Sequence, residues 1–170
     1  DHNTWPTAVS TPIGPVAART SQPFTVTVAI PADVVASSVD VANVTVRAQA
    51  NSALSATAIL TTTVTAIHGT TLTPITATQT GRVGTIVTYT LTLTNEGNLS
   101  ETYQLLLANN VWPTQVDPVS MTLASQASQP LTVTVAIPLT ATHGLTDTVR
   151  LTAQGMSVTD LMAQGVARAL

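Results

Sequence analysis

The chain has 170 residues, a net charge of −3 and charged side chains at only 8% of positions, against about 25% in typical soluble domains. Five Arg and no Lys leave no basic cluster, which argues against nucleic acid as a partner. No apolar run reaches the roughly 18 residues of a membrane span, and the absence of Cys excludes disulfides and thiol metal sites.

The first part of the chain recurs later at a constant offset of 107 residues. Residues 21–31 (SQPFTVTVAIP) recur at 128–138 with ten of eleven positions identical, and the Trp-Pro-Thr that begins at Trp5 recurs at Trp112. Self-similarity at a fixed period is typical of tandem structural modules. We therefore predict two modules, residues 1–68 and residues 69–170.

The first module is predicted to hold four strands, at residues 15–19, 24–30, 41–49 and 55–66. Residues 24–30 alternate strictly between apolar and mostly Thr positions, which is typical of a sheet with one buried and one solvated face. The apolar face of this strand consists of Phe24, Val26, Val28 and Ile30.

A short linker, residues 67–70, leads into the second module, for which seven strands are predicted. They are residues 72–78, 83–94, 100–108, 119–124, 131–137, 146–153 and 157–167, and the run 160–170 suits either a final strand or a short helix. The turn Asn95–Asn98 separates two of them, with Gly97 expected at positive φ. Short strands at intervals of about 8–12 residues indicate an all-β fold of tandem antiparallel β-sandwiches.

The motif in residues 84–98, GTIVTYTLTLTNEGN, resembles the strand and turn G-x-x-V-x-Y-x-L-x-V-x-N-x-G-N of bacterial Ig-like repeats. That family includes the modules appended to secreted alpha-galactosidases and the CARDB-type cell-adhesion repeats. The chain has Leu93 where the pattern has Val. The resemblance implies tandem Ig-like sandwiches that act as spacers, stalks or adhesion elements and share no catalytic residues.

Neither catalysis nor metal binding is indicated by the polar residues. His2, His68 and His143 lie far apart in the sequence, whereas a zinc site needs converging ligands, so we expect no metal, no cofactor and no enzymatic activity. Glu96 and Glu101 flank the Asn95–Asn98 turn, where turn capping is favoured over calcium binding. Trp5 and Trp112 are expected to pack in a core or at an edge and not to stack on sugars.

Two N-glycosylation sequons are present, Asn43-Val44-Thr45 and Asn98-Leu99-Ser100. About two are expected by chance in a chain this rich in Ser and Thr, so their presence alone decides nothing. Asn98 is the better candidate because it lies on a predicted turn, and O-linked glycans on the outward Thr rows are an equal alternative.

The first module lacks the front-half strands that the second module has before Trp112. A sandwich needs two sheets to bury its inner faces, so half of one exposes an apolar face and unpaired strand edges. Three explanations stay open: a portion of a longer tandem-repeat protein, completion by another subunit, or packing of the first module on the second.

We predict a non-catalytic structural subunit of an extracellular filament, sheath or surface array that assembles head to tail. The face formed by Phe24, Val26, Val28 and Ile30 is the candidate assembly face. The alternative is a stalk or carbohydrate-associated module of a larger secreted glycosidase or adhesin.

Overall fold

A computed structural model of the chain describes residues 3–10, 13–157 and 162–169, and residues 163–169 by their backbone alone. In these residues the chain forms β strands and no helix, which confirms the all-β class. The chain divides into two compact units, Asp1–Thr65 (unit 1) and Ala66–Leu170 (unit 2). The sequence repeat had placed the boundary three residues later, between residues 68 and 69.

Unit 1 consists of two separate antiparallel strand pairs. Its strands are β1 (Thr7–Val9), β2 (Val26–Val28), β3 (Val39–Arg47) and β4 (Ser55–Thr63). β1 pairs with β2, and β3 pairs with β4. Among the described residues of this unit, the buried apolar ones are Trp5, Ala42 and Val64, which is a small core for four strands.

Unit 2 is a β-sandwich of two sheets. Its strands are β5 (Thr70–Thr73), β6 (Thr76–Gln79), β7 (Ile86–Asn95), β8 (Glu101–Ala108), β9 (Thr114–Asp117), β10 (Ser120–Leu123), β11 (Ser128–Ala136), β12 (Asp147–Gly155) and β13 (Met162–Ala169). One sheet has the order β5-β7-β11-β9 and the other the order β10-β8-β12-β13-β6. Every described pairing is antiparallel except that of β13 with β6.

The core of unit 2 lies between these sheets. β7 contributes Tyr89, Leu91 and Leu93 from one sheet, and β8 contributes Tyr103 and Leu105 from the other. Thr occupies most positions between them, where its branched Cβ favours extended backbone and its hydroxyl faces solvent. The alternation of apolar residues and Thr therefore determines which face of each sheet is buried.

The sequence repeat is also a repeat in strand register. β1 pairs with β2 as β9 pairs with β11: Thr7 lies opposite Val28, and 107 residues later Thr114 lies opposite Val135. The pairing of β3 with β4 repeats that of β12 with β13 at the same offset. Unit 1 thus contains counterparts of β9, β11, β12 and β13, and its described residues contain none of β5, β6, β7 and β8.

The predicted strand at residues 15–19 is wrong, since those residues form no strand. At the offset of 107, residues 15–16 correspond to the end of β10 and residues 17–19 to the turn after it, and β10 pairs with β8. Unit 1 has no described counterpart of β8, so this segment has no strand to pair with, and its local sequence does not suffice to make it a strand.

The structure changes or completes the strand prediction at three further places. The predicted strand 72–78 is two strands, β5 and β6, interrupted at Pro74, which has no N–H to donate to a sheet. β1 and β9, which follow the two Trp-Pro pairs, were not predicted. The final strand is β13, Met162–Ala169, which settles the described part of the run 160–170 as strand.

Candidate assembly groove

The predicted assembly face is exposed in unit 1, whereas its counterpart in unit 2 is buried. Phe24 is 38% exposed and Ile30 is 47% exposed, and the two Val residues between them are half-buried. Their counterparts at an offset of 107, Leu131 to Ile137, are 1–4% exposed. The same alternating sequence is therefore core in one unit and surface in the other.

A groove of about 1470 Å³ lies between the strand pairs of unit 1. Its apolar lining includes Val9, Val16, Phe24, Ala42, Val44 and Val46. In unit 2 the counterpart space holds the inward side chains of β7 and β8, among them Tyr89 and Tyr103, which are fully buried. The groove thus corresponds to the strands that unit 1 does not contain in its described residues.

β2 pairs with β1 on one side, and no other strand pairs with it among the described residues. The N–H of Ala29 donates to Pro6 on the β1 side at 2.9 Å, as that of Ala136 donates to Pro113 in unit 2. The N–H of the next residue, Ile137, donates in the opposite direction, to Thr85 before β7. Because successive N–H groups of a strand alternate in direction, the N–H groups of Val26, Val28 and Ile30 point away from β1.

A buried carboxylate holds the Trp-Pro segment in each unit. In unit 2, Asp147 accepts hydrogen bonds from the backbone N–H groups of Val111 and Trp112. In unit 1, Asp40 accepts one from Thr4 at 2.8 Å, and its second oxygen has no hydrogen-bond partner among the described residues. Sequence reasoning missed these two Asp residues. Their spacing of 107 positions marks them as repeated, but it does not identify the backbone groups that they contact.

Asn98, the favoured sequon residue, is a structural contact to the segment that leads into β5. Its side-chain oxygen accepts a hydrogen bond from the N–H of Ile67 at 2.8 Å, and its own N–H donates to the carbonyl of Ile67 at 3.1 Å. Asn43 lies in β3 with an exposed side chain, and the Thr45 of its sequon shares a hydrogen bond with Thr57 at 3.0 Å.

Position 97 requires glycine because the backbone of Ile67 approaches it closely. The prediction that Gly97 has a positive φ is wrong. The glycines with positive φ are Gly84 and Gly144. A Cβ on Gly97 would lie 2.5 Å from the carbonyl oxygen of Ile67, which is closer than side chains tolerate. The Asn95–Asn98 turn is therefore tight because the segment around Ile67 packs directly against it.

Glu101 is a buried carboxylate at the start of β8, 2% exposed. Burial raises the pKa of its carboxyl, but hydrogen bonds from the N–H groups of Ser157, Thr102 and Met156 outweigh burial and lower the pKa overall. His68 Nδ1 lies 3.7 Å from its second oxygen. Glu101 therefore connects the start of β8 to the residues that follow β12. The side chain of Glu96 makes a different contact and accepts a hydrogen bond from Thr71.

The remaining candidates lie apart. Trp5 and Trp112 are both buried, which matches a packing role. His143 is far from the His68–Glu101 pair in sequence, and His2 lies outside the described residues. Within residues 3–10, 13–157 and 162–169 no three His, Asp or Glu residues converge as metal ligands, and no long apolar helix that would cross a membrane is present.

Comparisons with known proteins do not assign the chain to a family. No family model matches the chain, and no curated protein does. Among solved structures, the PapD-like domain 7 of human CEP192 is 14% identical with a TM-score of 0.42, covering 59% of this chain and 81% of that one. The chaperone DraB of E. coli is 15% identical with a TM-score of 0.46, over 60% and 53% of the two chains.

The periplasmic chaperone SfaE is 11% identical with a TM-score of 0.45, and the match covers 59% of this chain. The chain spans 57% of the length of SfaE and 53% of that of DraB, so it matches little more than half of either protein.

Proposed function

We propose that the chain is a non-catalytic structural subunit of an extracellular filament, sheath or surface array. Subunits assemble head to tail, and strands of a neighbouring chain complete unit 1. The observation that carries the proposal is the groove of unit 1, beside which the apolar face of β2 is exposed although the same face of β11 is core.

The exposed face favours association for two reasons. Fully burying one exposed large apolar side chain stabilises a complex by about 1.5–3 kcal/mol. Phe24 and Ile30 are 38% and 47% exposed and Val26 and Val28 are half-buried, so each of the four contributes part of that amount. An unpaired strand edge also accepts another strand through its backbone groups. The strand proposed to fill the groove is not part of the β2 surface that receives it, so the two sides of the contact differ. Such heterologous contacts produce open filaments when the rotation does not close.

We propose an extracellular location because the surface is rich in Thr and free of Lys. The resemblance of residues 84–98 to bacterial Ig-like repeats of secreted and cell-surface proteins supports the same location. Glycans on Asn43, Asn98 or the outward Thr rows would be compatible with it. Low charge also allows subunits to pack closely, since little like-charge repulsion opposes lateral contact.

Sedimentation velocity of the full chain over a hundredfold range of concentration, with electron microscopy of the concentrated sample, tests the proposal. We expect sedimentation coefficients that rise with concentration and elongated particles of regular repeat. The paired substitution Val26→Thr and Val28→Thr keeps the shape and strand propensity of β2 while removing apolar surface. It should shift assembly to at least about tenfold higher concentration, the equivalent of 1.4 kcal/mol.

The matched control is Val119→Thr, since Val119 is 68% exposed in unit 2. This variant should assemble like the unmodified chain. A chain that stays monomeric at every concentration, or an equal effect of the two variants, contradicts the proposal.

A second candidate function is a spacer or stalk module of a larger secreted glycosidase or adhesin. The observation that favours it is the identical strand register of the two units at an offset of 107 residues, which is typical of tandem arrays. Microscopy of the protein from its native source distinguishes the two. Continuous density that leads into residue 1 supports the stalk, and a separate chain in the groove supports the filament.

A further inference from the structure

The register of unit 2 specifies what kind of segment the groove of unit 1 accepts. In unit 2, β11 lies between β9 and β7, with Val133 opposite Tyr89 and Val135 opposite Val87. β2 is the counterpart of β11 and has β1 on one side, in the register of β9. The vacant side of β2 is therefore the side that β7 occupies in unit 2.

We infer that the free side of β2 binds one antiparallel β strand of another polypeptide chain, with the apolar alternation of β7. An aromatic residue of this strand lies opposite Val26, as Tyr89 lies opposite Val133, and a branched aliphatic residue lies opposite Val28. The inference rests on the proposed head-to-tail assembly, and it specifies the residue pattern of the strand that this assembly requires.

The backbone supports the same register. In unit 2, the N–H of Ile137 donates to the carbonyl of Thr85, and the N–H of Gly84 donates to the carbonyl of Ile137, both at 2.9 Å. Ile30 is the counterpart of Ile137, so its N–H and carbonyl are the groups that would bind the first residues of the incoming strand. The N–H groups of Val28 and Val26 follow at every second residue.

The side chains of the groove determine the chemistry of the incoming strand. Arg47 is the charged residue among the described residues that line the groove, and the remaining lining is apolar or neutral. A strand with charged inward residues would lose its hydration without gaining a partner. The groove therefore selects a strand whose inward positions are apolar, as they are at Val87, Tyr89, Leu91 and Leu93.

The probe is a synthetic peptide with the sequence of residues 84–97 (GTIVTYTLTLTNEG) and an amino-terminal fluorophore. The control peptide carries Thr at the positions of Val87, Tyr89, Leu91 and Leu93, which preserves strand propensity and removes apolar surface. The full chain is used at a concentration at which it sediments as a monomer. Fluorescence anisotropy gives affinity, and NMR-detected amide exchange gives the location.

We expect saturable binding of the probe, at least tenfold weaker binding of the control peptide, and slower exchange of the amides of Val26, Val28 and Ile30 on binding. Absence of binding, equal binding of the two peptides, or protection confined to strands of unit 2 would overturn the inference. If the chain assembles but does not bind the peptide, the inferred strand is refuted and the filament proposal stands. If the chain binds the peptide but does not assemble, the inferred strand stands and the filament proposal is refuted.

Discussion

The carboxylate of Asp147 lies against the backbone of Trp112 and accepts a hydrogen bond from its N–H at 2.9 Å, and a further one from Val111 at 3.0 Å. Asp147 is at the start of β12, 35 residues along the chain from Trp112. The pair therefore ties the loop after β8 to the sheet and positions the indole of Trp112 in the core.

Replacing Asp147 with Ala should destabilise unit 2 by about 2–3 kcal/mol, because two backbone N–H groups lose a charged acceptor. Urea unfolding followed by Trp fluorescence measures the loss. Asp117→Ala is the matched control, since Asp117 is exposed and its substitution should change the free energy of unfolding by less than about 0.5 kcal/mol. Equal effects of the two substitutions would show that the buried pair contributes nothing.

Asn95 is the second polar residue on which unit 2 depends. Its side-chain NH2 donates to the carbonyls of Leu99, Leu123 and Ala124 at 2.8–3.2 Å, and its oxygen accepts from the N–H of Gly97 at 2.9 Å. Asn95→Asp has nearly the same shape but turns the donor into an anionic acceptor facing three carbonyls. We expect it to cost about 3 kcal/mol or more, and more than Asn95→Ala.

Thermal unfolding monitored by circular dichroism compares the two substitutions at Asn95. Gln115→Glu provides the control, because Gln115 is an exposed amide of β9 and gains the same charge without burying it. A smaller loss for Asn95→Asp than for Asn95→Ala would show that shape, and not donation to the three carbonyls, is what the turn requires.

Gly97 should not tolerate a methyl group. The Cβ of an Ala would lie 2.5 Å from the carbonyl oxygen of Ile67, a backbone atom that cannot move without the segment it belongs to. We expect Gly97→Ala to destabilise unit 2 by about 1–3 kcal/mol, read from the urea midpoint. Gly69→Ala should cost less, since its Cβ would meet the Glu96 side chain at 3.1 Å; the reverse order would contradict the contact.

The contribution of Glu101 should depend on pH. Its carboxyl has a lowered pKa in the folded chain, so its stabilisation is fully present above the pKa of the unfolded chain, about 4.3. It is lost as the pH falls through the lower folded pKa. The difference in melting temperature between the unmodified chain and Glu101→Gln should therefore be largest near neutral pH and decline below about pH 4.

Glu96→Gln is the control for this series, because Glu96 is exposed and its substitution should leave the melting temperature nearly unchanged between pH 3 and 7. A constant difference between Glu101→Gln and the unmodified chain across that range would show that the ionised form of Glu101 has no advantage over the neutral one.

The local sequence pattern predicted those strands whose formation depends mainly on neighbouring residues. The alternation of apolar residues and Thr located β7 and β11, and the exact repeat identified which face of residues 24–30 has a buried counterpart. The fold class and the exposure of Phe24 to Ile30 were accessible in this way, because strand alternation acts over neighbouring residues.

Contacts between distant residues were not accessible. Asp147 and Trp112, or Asn95 and Leu123, approach each other only after the sheets have formed, and nothing in the neighbouring sequence marks them as partners. Residues 15–19 show the converse: their sequence suits a strand, but strand formation requires a neighbour. The structural role of Gly97 was likewise misread, because its constraint comes from Ile67, thirty positions away.

Unit 1 should unfold before unit 2. The buried apolar residues in the described part of unit 1 are Trp5, Ala42 and Val64, whereas the core of unit 2 includes residues from both of its sheets. A domain of about 60 residues has little stability even with a complete core. Because each unit holds one buried Trp, the variants Trp112→Phe and Trp5→Phe each leave a single fluorophore, in unit 1 and unit 2 respectively, and each leaves the reported unit unaltered.

We expect two urea transitions, with the Trp5 signal changing at a lower urea concentration than the Trp112 signal, at a protein concentration at which the chain is monomeric. The fluorescence of the unmodified chain should be their sum, as for two units that unfold independently. Raising the protein concentration should move the Trp5 transition toward higher urea, since assembly binds the folded form of unit 1. If the two transitions coincide and do not change with protein concentration, unit 1 is stable without a partner. That result would remove the physical reason for assembly.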